Sequence, residues 1–121
     1  MRKSPLLEPL KKISSNDQIE ISCIVKTNGD VSASVGNLDT LELETFGIMS
    51  ATIFGAASTS NGQLKKKEPR QIVIKSSDGN TIINNMSKDL LLVLRAKPDL
   101  DLDNVDKTFG KHINEIKNNI T

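Results

Sequence analysis

The stretch that most constrains the fold is NLDTLELETFGIMSATIFGAAS, from Asn37 to Ser58, the longest run without proline, with few charges and dense apolar content. It reads as one buried helix. Asp39 and Glu42 have the spacing of a capping box, in which two side chains satisfy free amides of the first turn, and Asn61-Gly62 supplies the stop. Between those ends the apolar residues do not make one stripe. Leu41 and Ile48 lie on one side, and Leu43, Phe46, Ile53 and Ala57 on roughly the other. A helix apolar on two faces must be covered twice. A third line, Gly47, Ala51 and Gly55, carries almost no side-chain bulk and lets another backbone approach. Glycine inside a helix costs about 1 kcal/mol relative to alanine, so two of them imply a packing reason. The helix is expected to lie on a sheet with one face and to meet a second protein surface with the other, because 121 residues offer little material for a further covering layer.

The flanking segments supply that sheet. Ser4-Pro5 resembles an N-cap followed by proline, and Leu6, Leu7, Leu10 and Ile13 then fall on one helical face, with Pro9 starting or kinking the helix. From Gln18 the period changes to two, with Ile19, Ile21, Cys23 and Val25 on one face. Asn28-Gly29 follows, the dipeptide of a two-residue hairpin. The return strand, Asp30 to Gly36, places Val31, Ala33 and Val35 on one face and has the small, polar character of an edge. After the central helix, Gln71 to Lys75 carries Ile72 and Ile74 on one face and Val73 on the other. Ser77-Asp78-Gly79-Asn80 makes a second turn, and Thr81 to Asn84 returns. Leu90 to Leu94 is apolar on both faces, so it should be central and covered above and below. Beyond Pro98, Leu102, Val105, Phe109, Ile113, Ile116 and Ile120 recur at threes and fours as a last amphipathic helix. The predicted order is α-β-β-α-β-β-β-α, a single domain over residues 1–121.

Chemistry is sparse. Sixteen basic and fifteen acidic residues leave a net charge of +1, which gives no global field for nucleic acid or an anionic membrane. Three Phe and no Trp or Tyr remove the stacking platforms of single-strand binders and much of what lines small-molecule pockets. The one cysteine, Cys23, sits in an apolar run and reads as a buried thiol. His112 has no ligand-spaced partner, and Asp99, Asp101 and Asp103 lack the glycine and later glutamate of a calcium loop, so they read as the acidic start of a helix. The basic loop Lys65, Lys66, Lys67 and Arg70 reads as solvated. No phosphate-cradling glycine loop, catalytic group, metal site or cofactor site is expected, and no run of about 18 apolar residues suggests membrane insertion. A binding module in the cytoplasm is the expectation, with an enzyme the minority reading.

The hairpin VKTNGDVSASVGN, the small-residue helix LETFGIMSATIFGAAS and the segment RQIVIKSSDGNTIINNMSKDLLLVLRA with its closing helix resemble the roadblock family, the small domains first associated with dynein light chains. The resemblance spans about Leu6 to Ile116. It departs from the family in lacking Tyr and Trp and in carrying Gly47 and Gly55 where alanine is frequent. It implies an α+β fold, a five-stranded antiparallel sheet with the long helix on one face and the first and last helices on the other, related to profilin-like and longin-like folds. It also implies pairing through the central helix and the strand after it. A homodimer interface is therefore expected on Phe46, Gly47, Ser50, Ala51, Phe54 and Gly55 of the helix and on Gln71, Val73 and Lys75 of the strand, the face of Phe46 and Ile53 being an alternative to the small line. Many family members bind Ras-like small GTPases or act as scaffolds, which implies such a partner here, with Lys65, Lys66, Lys67 and Arg70 at the rim. A small-ligand sensing domain is the alternative function.

Overall fold

The computed structural model of the chain describes residues 5–120. Three helices and five strands follow in the expected order: α1 (Leu7–Ser14), β1 (Ile19–Lys26), β2 (Val31–Gly36), α2 (Thr40–Gln63), β3 (Gln71–Ser76), β4 (Gly79–Asn85), β5 (Leu90–Ala96) and α3 (Val105–Ile120), the last preceded by a 3-10 turn at Leu102–Asn104. One antiparallel sheet has the strand order β2-β1-β5-β4-β3. The apolar strand β5 lies at its centre, and Leu91, Leu92, Val93 and Leu94 are fully buried because both faces are covered. On one face Ile24, Ile82, Leu92 and Leu94 pack with Leu10 and Ile13 of α1 and Val105, Phe109, Ile113 and Ile116 of α3. On the other, Cys23, Val25, Ile83, Leu91 and Val93 pack with Ala51 and Phe54 of α2.

Two bulges decide which side chains reach which face. Between Ile19 and Ile21 an extra residue of β1 stands against β5, so Ile19 joins the α1/α3 core instead of sharing a face with Cys23 and Val25, as strict alternation predicts. A bulged residue shifts the side-chain parity of everything beyond it. A second shift, where Ile24 pairs Ala33 and Val25 pairs Val31, accommodates Ser32. Val31 consequently faces α2 while Ala33 and Val35 face α1 and α3, and the three do not share one face.

The turns also depart in detail from expectation. Between β1 and β2 the loop holds four residues, Thr27 to Asp30, closed by the Gly29 amide donating to the Lys26 carbonyl at 2.8 Å and the Lys26 amide donating to the Asp30 carbonyl at 2.7 Å. Only Gly29 of the Asn28-Gly29 pair has positive φ, 102°, so the loop is of the longer kind in which a single left-handed glycine suffices. The second turn is tighter, with Ser76 paired directly to Gly79, so that β4 begins at Gly79 and not at Thr81. The expected N-cap Ser4 lies outside the described residues. Pro9 sits in the first turn of α1, where a missing amide donor costs no helical bond.

The capping box at the start of α2 forms as the sequence spacing requires. Glu42 donates its amide to Asp39 Oδ1 at 2.8 Å, and Asp39 donates its own to Glu42 Oε1 at 3.1 Å. The helix runs past Asn61-Gly62 and stops at Lys65, the one non-glycine residue with positive φ among those described. There the Lys65 amide donates to Gly62 and the Lys66 amide to Asn61, at 3.0 and 2.8 Å, the bonding of a Schellman motif. Asn61 contributes to the stop through its side chain, whose Nδ2 donates to the Lys67 carbonyl at 2.8 Å.

Candidate functional site

Helix α2 buries only a narrow stripe. Gly47, Ser50, Ala51 and Phe54 face the sheet, spaced at three and four as one helical face requires. The fit at Gly47 is close. A Cβ there would stand 2.7 Å from both the Gly29 carbonyl oxygen and Val31 Cγ2. Thus the β1–β2 hairpin of the same chain supplies the backbone approach that this glycine permits. Gly55 is different, for nothing lies within 4 Å of a Cβ built on it. The line Gly47, Ala51, Gly55 therefore divides, its first two members facing inward and its last facing solvent.

What remains outside is unusually apolar. Between Glu44 and Lys65 the helix carries no charged residue, and Leu41, Ile48, Met49 and Ile53 are 72, 50, 50 and 37% exposed. By helical position they fall on two flanks, with Phe46, Met49 and Ile53 on one and Glu44, Ile48 and Gly55 on the other. The Phe46 flank overlooks the β5–β4–β3 half of the sheet. Ile21, Arg95, Thr81 and Ile74 form one row across that half in register, and Cys23, Val93, Ile83 and Ile72 the next. A groove of about 560 Å³ opens beside α2 over β1 and β5, lined by Leu38, Leu41, Phe46, Met49, Ile21 and Arg95 among others. Arg95 is held in place, since its Nη1 donates to Thr81 Oγ1 at 3.3 Å and its Nη2 lies 3.2 Å from Asp78 Oδ1.

The edge strand β3 continues this surface. Ile72 and Ile74 are half-buried and share the α2 face with Ile83 and Thr81, while Gln71, Val73 and Lys75 project to the α1/α3 face and are exposed. Gln71 is tied down by donating Nε2 to Asn84 Oδ1 at 2.8 Å. Of the expected interface residues, then, Phe46 lies on one flank of α2 and Gly55 on the other, while Gln71, Val73 and Lys75 are exposed along the edge strand on the opposite face of the sheet. The fold holds Gly47, Ser50, Ala51 and Phe54 within the protomer. Lys65, Lys66, Lys67 and Arg70 are exposed on the loop joining α2 to β3. Met49, Ile72, Ile74 and Arg95 join the surface beyond those expected. For Ile72 and Ile74 the signal in the sequence is apolar alternation, which cannot tell an inner face from an outer one before the strand register is known.

Groups with chemical potential elsewhere are engaged in structure. Cys23 is fully buried and burial pushes its thiol up to about 12, so it is protonated and unreactive at neutral pH. His112 Nδ1 lies 3.3 Å from Glu115 Oε1, and Lys12 Nζ of α1 lies 3.3 Å from Glu115 Oε2, a surface tie between α1 and α3. The hydrogen bond from His112 holds the Glu115 carboxyl below its ordinary value, with Lys12 assisting. Asp101 accepts the Asp103 amide at 3.1 Å and caps the turn leading into α3. Among the described residues no group of three or more His, Cys, Asp or Glu side chains could hold a metal ion, and no helix is long and apolar enough to cross a membrane.

No curated protein sequence matches the chain, but solved structures do. MglB from Myxococcus xanthus superposes with a TM-score of 0.87 at 12% identity, over 98% of this chain and 96% of that one. The gliding protein MglB from Thermus thermophilus gives 0.80 at 17% identity, over 98% and 93%. Profilin II from Acanthamoeba castellanii, at 0.61 and 11% identity over 96% and 99%, shares the wider architecture. At such identities these likenesses establish the fold. Membership rests on the family model of the Roadblock/LC7 domain, which matches residues 6–96, from the start of the α1 core to the last residue of β5. The chain belongs to the Roadblock/LC7 domain family.

Proposed function

We propose that this protein is a non-enzymatic homodimeric interaction module that binds a Ras-like small GTPase and biases it toward one nucleotide state. The observation that carries the dimer is the outer surface of α2, where Leu41, Met49 and Ile53 stand exposed and the first two line a groove whose sheet side is Ile21 of β1 and Arg95 of β5. A second copy related by a two-fold axis fills each groove with the other's helix, and β3 meets its symmetry mate edge to edge. Such an interface is self-complementary by construction. Its residues are Phe46, Met49 and Ile53 on the helix and Gln71, Val73 and Lys75 on the strand, with Ile72 and Ile74 beneath the partner helix. Gly47, Ser50, Ala51 and Phe54 act from below by fixing the depth of α2 on its own sheet.

The paired helices then form a platform that neither subunit has alone. With no arginine in a recognisable finger loop, the platform acts on a GTPase by differential affinity for its two states, which is the only way a non-catalytic partner shifts a population. Lys65, Lys66, Lys67 and Arg70 steer an acidic partner from the rim, an effect that weakens with salt. Support for this reading is the family membership together with the uncharged outer face of α2. The test is affinity capture from the native extract with a GTP or GDP analogue present, read by mass spectrometry. Nucleotide-dependent recovery of a small GTPase is the expected result. Recovery of the same partners whatever the nucleotide would contradict it.

A further inference from the structure

The second edge of the sheet, β2, has features that the dimer leaves unused. It lies at the opposite end of the strand order from β3, and among the described residues no strand lies beyond it. Its sequence, Val-Ser-Ala-Ser-Val-Gly over Val31–Gly36, contains neither charge nor proline. Sheet edges are ordinarily blunted by such residues, because an open row of amide and carbonyl groups invites another strand. Only the bulge at Ser32 interrupts this one. Above the edge, the Ile48 flank of α2 forms the wall of a groove of about 800 Å³, whose apolar lining includes Val31, Leu38, Leu43 and Ile48. Its charged members are Lys26, Asp30 and Glu44, two carboxylates against one ammonium. Ile48 is half exposed there, although its Cα and Cβ lie against the Gly29 position.

The geometry points to strand addition at this edge: an extended segment of a partner protein pairs with β2, sets alternate apolar side chains under Ile48 and Leu43, and places a lysine or arginine against Glu44 and Asp30. Main-chain bonds supply affinity in such a mode, and the pockets for alternate side chains supply selectivity. The occupant is an extended chain because what the edge offers is backbone hydrogen bonding along an uncharged strand. It is basic because the rim carries an acidic excess. A site at this edge remains open whether or not β3 pairs with its mate, so the inference stands apart from the dimer.

The probe is a capped peptide of the length of β2 in which valine alternates with threonine and lysine, compared with the same peptide carrying glutamate in place of lysine. Binding is followed by amide hydrogen exchange and by NMR shifts of the full chain. Slowed exchange confined to Ser32–Val35 amides is expected, with the lysine peptide binding about threefold to tenfold more tightly than the glutamate peptide at low salt. Glu44→Lys, an exposed helix position, should reverse that preference while leaving the melting temperature near that of the parent. Protection appearing at β3 instead of β2 would overturn the inference, as would equal binding of both peptides. So would β2 amides of the free chain that become protected as its concentration rises, since a second copy would then be the occupant.

Discussion

The two glycines of α2's small line should respond with opposite sign to the same substitution. In Gly47→Ala the added methyl meets the Gly29 carbonyl oxygen and Val31 Cγ2, each at 2.7 Å. One of these is backbone in a tight hairpin, so relief requires α2 or the hairpin to move. Overpacking of this kind costs about 1–3 kcal/mol. Alanine's better helix propensity returns about 1 kcal/mol, leaving a net loss of up to about 2 kcal/mol. Gly55→Ala meets nothing within 4 Å and keeps only the propensity term, a gain of up to about 1 kcal/mol. For a chain of this size each kcal/mol moves the melting temperature by roughly 4 °C, so the two variants should separate by several degrees on either side of the parent. Urea unfolding at fixed protein concentration is the assay, with the slope checked for constancy so that midpoints report stability. A Gly47→Ala variant more stable than the parent would refute the claim that this glycine exists for the hairpin. Loss of stability in Gly55→Ala would show that something covers a position that stands open in the protomer.

Three further outcomes follow from the same geometry. Asp39→Ala removes one half of the capping box and should cost about 0.5–2 kcal/mol in urea unfolding, with Glu42→Gln costing less because an amide oxygen still accepts the Asp39 N–H. Cys23, fully buried and with its thiol raised to about 12, should resist alkylation at neutral pH until denaturant exposes it; labelling of the native chain at the rate of a free thiol would contradict its placement between α2 and the sheet. Glu115, held below its ordinary value by His112 and Lys12, adds stability that is present above the unfolded carboxyl's pKa and is lost as pH falls through the lower folded value. Glu115→Gln should therefore flatten the acid limb of the stability profile, and an NMR titration of Glu115 with an ordinary or raised midpoint would show the tie to be unformed.

Much of the architecture was legible because its signals are local. Continuous apolarity placed β5 at the centre, period two marked β1 and β3, and Asp39 with Glu42 fixed the start of α2. The misplaced details depend on parity and on tertiary contact. Strict alternation assigns Ile19 and the Val31/Ala33/Val35 set, and a single bulged residue in each strand reverses part of the pattern. The stop at Asn61-Gly62 follows from glycine's preference for left-handed backbone, yet Lys65 adopts that conformation, with Asn61 serving through its carbonyl and amide group. At the candidate surface, the sequence announced that α2 has more apolar residues than one face can bury, but the division between Phe54 within and Met49 without depends on how the helix is rotated over the sheet. That rotation is set by the contact of Gly47 with Gly29, a long-range event that no helical period contains.

The central claim, that the Phe46–Met49–Ile53 flank of α2 is the surface on which two copies meet, is tested most directly by sedimentation equilibrium of the parent chain beside Met49→Glu. Met49 is half exposed in the protomer, so the variant should fold, as circular dichroism will show. In the two-fold dimer the change is counted twice. Losing the remaining apolar burial of each methionine removes about 1 kcal/mol per subunit, and setting an unpaired carboxylate in each groove adds at least a comparable penalty. The dissociation constant should rise by about two to three powers of ten. A parent mass of twice the 13.2 kDa chain at micromolar concentration and a folded Met49→Glu variant at the mass of one are expected. A parent that sediments as a single chain, or a variant whose association is unchanged, would contradict the claim.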